Sequence, residues 1–365
     1  MKPAQEVTPA GADAEVKGPR CRFCKHPLTH VVVDLGMSPL CESYVTAEDL
    51  NAEERFYPLV VFVCDNCWLV QLDQYVSPEE IFTEYAYFSS YADSWVEHAR
   101  QYTEMITQRL GLNAKSFVVE VASNDGYLLQ HFVERGIPVL GVEPAANVAG
   151  AAIDKGVPTE VSFFGAETAR RLVQFHNHAD LIIGNNVLAQ VPDTNDFVAG
   201  LKILLKPDGV ITMEFPHLRC LMEENQFDTI YHEHFCYFSL VSVERILAAH
   251  GLKLFDVDRI PTHGGSLRVY ACHEADKRKV SDAVERLRTL ELDEGFETLE
   301  RYRSFEQQVI ATKRKLLSFL ISAKEDGKTI VGYGAPGKGN TLLNYCGIRT
   351  DFIDYTVDRN PYKQG

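Results

Sequence analysis

Apolar residues recur along the chain in two periods. Trp95, Ala99, Tyr102, Ile106 and Leu110 fall on one face of a helix, and Gly111 closes it. An apolar run at 117–119 ends on Glu120 and is followed by a small polar turn, Ala122-Ser-Asn-Asp-Gly126. Leu128, Leu129 and Phe132 then take helical spacing, Gly136 stops the helix, and a second apolar run at 139–142 ends on Glu143. Strand, turn, helix, strand is the repeating unit of a parallel sheet. The alternation continues with a strand at 179–184 ending in Asn185-Asn186, a helix at 197–205, a Lys-Pro-Asp-Gly turn at 206–209 and a strand at 210–215. Segments 252–257 and 267–273 read as strands that pair in an antiparallel edge. Residues 281–323 read as charged helix, with Leu299, Tyr302, Val309, Leu316 and Leu320 on its apolar side and a break at Gly295. A further strand, Gly-rich turn, helix and strand span 328–357, and two strands are expected near the N-terminus at 29–35 and 57–63.

The turn at 122–126 sits at the carboxyl end of its strand, where open α/β sheets bind ligands. An acid at the end of the next strand, about 20 residues on, suits two adjacent ribose hydroxyls. The G-x-G-x-x-G of a dinucleotide site is missing, and only Gly126 follows Ser123, Asn124 and Asp125. Side chains where glycines would admit a pyrophosphate suit a ligand without phosphate near the turn, such as S-adenosylmethionine. The segment resembles the first two motifs of the class I methyltransferases. That resemblance implies a cofactor site built from Glu120, Ser123, Asn124, Asp125, Gly126 and Glu143, with Asn186 at the end of a neighbouring strand. The alternative is an ordinary βαβ unit with a satisfied acid. Amino-methylating enzymes of this class often carry Asn/Asp-Pro-Pro-aromatic where this chain has Asn-Asn-Val-Leu, which weakens that assignment.

At 365 residues, two or three domains are expected. A net charge of −15 argues against nucleic acid as the main partner, because phosphate binding needs clustered Lys and Arg. No apolar run is long enough to span a membrane, and the first twenty residues read as a disordered tail, not a signal peptide. Cys21-x-x-Cys24 and Cys64-x-x-Cys67 supply four thiolates, enough for a closed, structural Zn²⁺ site, with four buried free thiols as the alternative. Nine cysteines without a secretion signal point to a reducing, cytoplasmic setting. Cys41 reads as a small core residue.

Three further stretches carry candidate chemistry. Tyr85, Tyr87 and Tyr91 crowd a segment that is either a substrate wall or a packing joint. Tyr231-His-Glu-His234 is not a zinc motif, since His232 and His234 would face opposite ways on a helix; a histidine beside a phenol and a carboxylate suits proton transfer. Pro261-Thr-His-Gly-Gly-Ser266 with Arg268 is a loop for phosphate oxygens or a wide turn. Tyr333-Gly-Ala-Pro-Gly-Lys338-Gly lacks the GK[ST] of a P-loop but suits a phosphate at a helix start.

Together these stretches resemble the sugar C-methyltransferases that act on nucleotide-linked 4-keto-deoxyhexoses. The likeness runs from Cys21 through the paired knuckles, the Tyr85–Tyr91 segment, the 120–126 turn, the 231–234 run, the 262–266 loop and the 332–339 turn. It implies an α/β fold with a class I, Rossmann-like core, an N-terminal zinc-binding module and a C-terminal Rossmann-like domain. The expected divisions are a tail at 1–20, a zinc module at 21–80, a cofactor domain at 81–258 and a C-terminal domain at 259–365, either small or incomplete. His234 is then the expected base, with Tyr231, Glu233 and Tyr85 around the sugar, Glu233 orienting the histidine or binding a hydroxyl. Tyr87, His263, Gly265, Ser266, Arg268 and Lys338 are expected to bind substrate. The partner implied is a nucleoside-diphosphate sugar, TDP favoured and GDP open. Family members often have His where this chain has Gln190. An O- or N-methyltransferase of small metabolites and a non-catalytic zinc and cofactor-binding protein are the competing readings.

Overall fold

The structure, a computed structural model, describes residues 18–41, 43–77, 81, 88–360 and 363–364. The N-terminal strands β1 (His30–Ser38), β2 (Tyr57–Val63) and β3 (Val70–Leu72) form an antiparallel sheet. Pairing of His30 with Val63 brings the two cysteine knuckles together across the long gap between them.

Helix α1 (Asp93–Leu110) follows, burying Ala99, Tyr102 and Ile106 and ending on Gly111, whose φ of 66° is the left-handed conformation that glycine adopts without strain. The central sheet then builds from β4 (Val118–Val121), β5 (Val139–Val142), β6 (Thr159–Glu160), β7 (Ala179–Asn185) and β8 (Leu205–Pro216), all parallel. After β9 (Cys236–Tyr237) come β10 (Leu252–Ile260) and β11 (Ser266–His273). The seven strands lie in the order β10-β11-β8-β7-β4-β5-β6, with β11 antiparallel to both neighbours. The order reverses beside β4, and the crevice this leaves at the carboxyl ends of β4 and β7 is the ligand position of open α/β sheets. Val118, Val119, Leu181, Ile182 and Ile183 are fully buried, as expected of strands covered on both faces.

One expectation needs correction, and two further features of the sheets were not anticipated. The 206–209 turn lies inside β8 as a bulge: partners step from Ala179 to Leu181 on β7 while they step from Leu205 to Val210 on β8. A domain division at 258 falls within β10, and β11 beyond it is bonded to β8, so the central sheet extends to residue 273. Two-residue β9 leaves the central region to pair with β3, making a four-stranded sheet β1-β2-β3-β9.

The charged helical stretch is present as helices Asp282–Asp293, Leu299–Arg303 and Phe305–Glu325. Glu291, fully buried, ties it to the centre by accepting from the backbone N–H groups of Leu240 and Val241, the start of helix Leu240–Ala249, and from His217 Nε2 at 2.7 Å. In the C-terminal unit, β12 (Gly332–Tyr333) and β13 (Thr356–Val357) are parallel and flank helix α2 (Gly337–Cys346). Each of these strands is two residues long.

Candidate active site

A cavity of about 610 Å³ opens at the carboxyl ends of β4 and β7. One wall comes from the turn after β4 and the end of β5. Glu143 is buried there, and its carboxylate is held by the backbone N–H groups of Asn124 and Ala145, each at 2.9 Å. Burial pushes its pKa up, and those two donors oppose the shift. Asn124 takes a φ of 50° and accepts from the Ser89 N–H, so the turn also fixes the segment entering α1.

Glu120, Ser123, Asp125 and Gly126 do not line the cavity but shape this turn. Asp125 accepts from Lys155 Nζ at 3.0 Å and from the Ser90 N–H. A Cβ on Gly126 would sit 3.0 Å from Val157, and its φ is 74°. Both Glu120 carboxyl oxygens and Ser123 Oγ are buried without a hydrogen-bond partner among the described residues. Burial, with Glu143, Asp125 and Glu214 nearby, pushes the Glu120 pKa well above the usual carboxylate range. Orphaned buried groups under an open turn are those a bound polar ligand and its ordered water satisfy. The donor set fits S-adenosylmethionine: an oriented carboxylate for the ribose and a polar turn for the amino-acid end.

The facing wall carries Tyr231, Glu233 and His234. His234 Nδ1 lies 3.0 Å from the Thr229 carbonyl oxygen. A carbonyl can only accept, so Nδ1 carries the proton and Nε2 keeps a lone pair. Burial, with His263 and Lys338 adding to it, pushes the imidazole down to about 4 against the opposing Thr229 contact, so it is neutral at pH 7. The Tyr231 and His234 ring centroids lie 4.1 Å apart. The expected orienting partner is corrected: Thr229, not Glu233, bonds the His234 ring, and Glu233 accepts from Cys41 Sγ at 3.3 Å. Cys41 is buried, as a small core residue should be, and it also lines the cavity. His232 points away, its Nε2 donating to the Pro58 carbonyl at 3.1 Å; the segment is a turn rather than a helix, and the two histidines are nonetheless separated.

Of the 262–266 loop, only His263 reaches the cavity, its Nε2 3.1 Å from Asn186 Nδ2. Gly265 and Ser266 are corrected to turn-formers: the Gly265 carbonyl accepts from the His217 N–H, and Ser266 Oγ donates to the Thr262 carbonyl. Arg268 is also corrected. It stands opposite Glu214 in the β8–β11 register, is buried, and donates from Nε to that carboxylate at 2.6 Å; it does not line the cavity. Lys338, in the first turn of α2, does line it together with Gly337. Tyr85 and Tyr87 lie outside the described residues. Trp95, Tyr127, Phe163 and Phe164 line the cavity and were not anticipated. Trp95 had been counted on the apolar stripe of a helix, and the two phenylalanines fall in a loop whose pattern carries no period.

Away from the cavity, the four knuckle sulfurs lie within 4.8 Å of one another, with Cys21–Cys67 and Cys24–Cys64 each at 3.5 Å. Zn–S bonds of about 2.3 Å in a tetrahedron put the sulfurs about 3.8 Å apart, so the set fits zinc. The two knuckles repeat one geometry. Lys25 and Trp68 have φ of 63° and 64° and donate back to the Cys21 and Cys64 carbonyls. Four protein ligands close the site, which makes the zinc structural.

The sheet order, the polar turn at its switch point and the acid ending β5 define a class I S-adenosylmethionine-dependent methyltransferase. A family model described as a methyltransferase domain matches residues 95–257, a zinc binding domain matches 21–82, and a C-methyltransferase C-terminal domain matches 261–365. C-methyltransferase NovU of Streptomyces niveus is 38% identical over 345 residues, covering 94% of this chain and 82% of that protein. The chain belongs to the C-methyltransferase family. Solved structures similar to it include magnesium protoporphyrin IX methyltransferase of Synechocystis PCC 6803 with bound S-adenosylmethionine (16% identity, 50% of this chain and 82% of that one, TM-score 0.36). An S-adenosylmethionine-dependent methyltransferase of Clostridium acetobutylicum (10%, 49% and 92%, TM-score 0.40) is another. Among the described residues no helix is long and apolar enough to cross a membrane.

Proposed function

We propose that this enzyme methylates carbon C3 of a nucleotide-linked 4-keto-deoxysugar, TDP being the favoured nucleotide, with His234 as the base. The observation that carries the reading is that one cavity is lined both by Glu143, for the cofactor ribose, and by an imidazole whose Nδ1–H is committed to Thr229. S-adenosylmethionine supplies an electrophilic methyl group when bound, so the residues of the chain need only hold, deprotonate and shield the acceptor. The C4 ketone acidifies the hydrogen on C3, and His234 Nε2 takes it. Charge then develops on the ketone oxygen, and Tyr231, packed against His234, is the nearest phenol on that wall to donate to it. Glu233 accepts from a sugar hydroxyl. Lys338 and the first N–H groups of α2 receive the diphosphate, with His263 on the sugar side.

The test uses methyl-labelled cofactor and a TDP-linked 4-keto-deoxyhexose. Label on the ring carbon beside the ketone, with turnover lost in His234→Asn while S-adenosylhomocysteine still binds, is the expected result. Label on oxygen or nitrogen, or full activity in that variant, overturns it.

A further inference from the structure

Arg22 lies inside the first zinc knuckle, between two ligands, yet its side chain reaches away from the metal site. Nη1 donates to the Pro192 carbonyl at 3.0 Å, and Nη2 donates to the Leu72 carbonyl at 3.1 Å. The guanidinium carbon sits 4.7 Å from the centre of the Phe235 ring. Pro192 belongs to the 189–193 stretch that lines the cavity with Gln190, and Phe235 directly follows His234. The same residue is held from both sides through its backbone. Its N–H donates to Gln71 Oε1 at 2.8 Å, and its carbonyl accepts from Asn195 Nδ2. Gln71 in turn donates to Cys21 Sγ, and in the strand register it faces Cys236, two residues beyond His234.

We infer that Arg22 is a positioning residue for methyl transfer, fixing the Gln190–Pro192 edge and the His234–Phe235 edge of the cavity at one spacing relative to the knuckle. The three groups it joins are far apart in sequence and share no other cation: among the described residues, Arg22 alone makes hydrogen bonds to both Leu72 and Pro192. A guanidinium suits this work because its planar fork donates in two directions while its face covers an aromatic ring. Lysine could satisfy one carbonyl but not both at fixed angles. Reaction geometry is sensitive to such displacement, since a shift of about 1 Å can reduce a rate on the order of 100-fold.

The inference rests on the function proposed above for its kinetic readout, so the experiment carries a second readout that does not. Arg22→Met and Arg22→Lys are purified and compared with the wild-type chain in zinc content, S-adenosylhomocysteine affinity, turnover of a TDP-linked 4-keto-deoxyhexose, and carbethoxylation of His234 followed by peptide mass mapping. Arg22→Met is expected to keep wild-type zinc content and cofactor affinity while kcat falls by about 10- to 100-fold, with KM changing less. The His234 modification rate should differ from wild type, and Arg22→Lys should recover part of both. Wild-type kcat in Arg22→Met, or a loss that only tracks lost zinc, overturns the inference. If the wild-type enzyme itself does not turn over the keto sugar, the proposed function fails; the imidazole readout then decides Arg22, and an unchanged His234 modification rate overturns its role.

Discussion

The two walls of the cavity are assembled in opposite ways. The cofactor wall comes mostly from one continuous stretch: β4, the turn after it and the end of β5 supply Asn124 and Glu143, and the backbone of the turn itself orients the acid. The opposite wall has no such continuity. His234 has its tautomer set by donating Nδ1–H to the Thr229 carbonyl, its neighbour Phe235 packs under Arg22, and Lys338 arrives from the C-terminal unit. A ligand common to many enzymes can be held by a local motif, whereas an acceptor specific to one reaction is enclosed by whatever distant segments the fold brings near. Disturbance of the first wall should therefore weaken cofactor binding alone, and disturbance of the second should reduce chemistry or acceptor binding alone.

The strongest separation is expected from His234→Asn. Removing a general base costs about 1,000-fold in kcat, while calorimetry should return an unchanged S-adenosylhomocysteine affinity. His232→Asn is the matched control: it removes the Pro58 contact, lowers stability by about 1 kcal/mol in a denaturant titration, and leaves kcat near wild type. Loss of cofactor affinity in His234→Asn would mean the walls are not independent. Next in size, Glu143→Ala removes the carboxylate proposed to hold the ribose, at about 1.5–3 kcal/mol per hydrogen bond, and should weaken cofactor binding on the order of 100-fold. Deuterium wash-out from the carbon beside the ketone, catalysed by His234 without methyl transfer, should survive in that variant.

Lys338→Met is expected to raise KM for the sugar nucleotide about 10-fold, the scale of one lost charge contact, without altering cofactor affinity. A rise in the cofactor Kd instead would move Lys338 to the other wall. The smallest effect concerns pH. The His234 pKa is depressed to about 4, so the neutral, proton-accepting form persists as pH falls and is lost only on descent toward that value. The kcat/KM profile should be flat from about pH 6 upward on this limb, where an ordinary imidazole would already be half protonated at about 6.5. A midpoint near 6.5 in the free enzyme would show the ring to be more hydrated than its surroundings indicate.

The same contrast explains what could be read from residues alone. A strand that ends on a small polar turn and another that ends on an acid are local patterns, so the β4–β5 unit, the acid at its end and the paired knuckles are legible in the residues alone. The pattern also identified β10 and β11 as a pair, yet not their membership of the central sheet, because that depends on Arg268 facing Glu214 on a distant strand. That pairing is also why Arg268, an exposed-looking cation beside a glycine loop, is consumed by an internal ion pair. The Thr229 contact was invisible for a different reason: it uses a main-chain carbonyl, which every residue type possesses. Cys41 read as a small core residue, and it is buried; its contact with Glu233 was not legible, since a lone thiol has no spacing to interpret.

The pairing of β9 with β3 has a practical consequence for anyone wishing to exchange parts between relatives. A graft of the amino-terminal module alone would leave the recipient's Cys236 and Tyr237 facing a foreign strand, and the imprint of that mismatch would fall two residues from His234. Chimeras that transplant the 230–238 segment along with the donor module should keep turnover, and those that split the two should lose it even when both pieces are well folded.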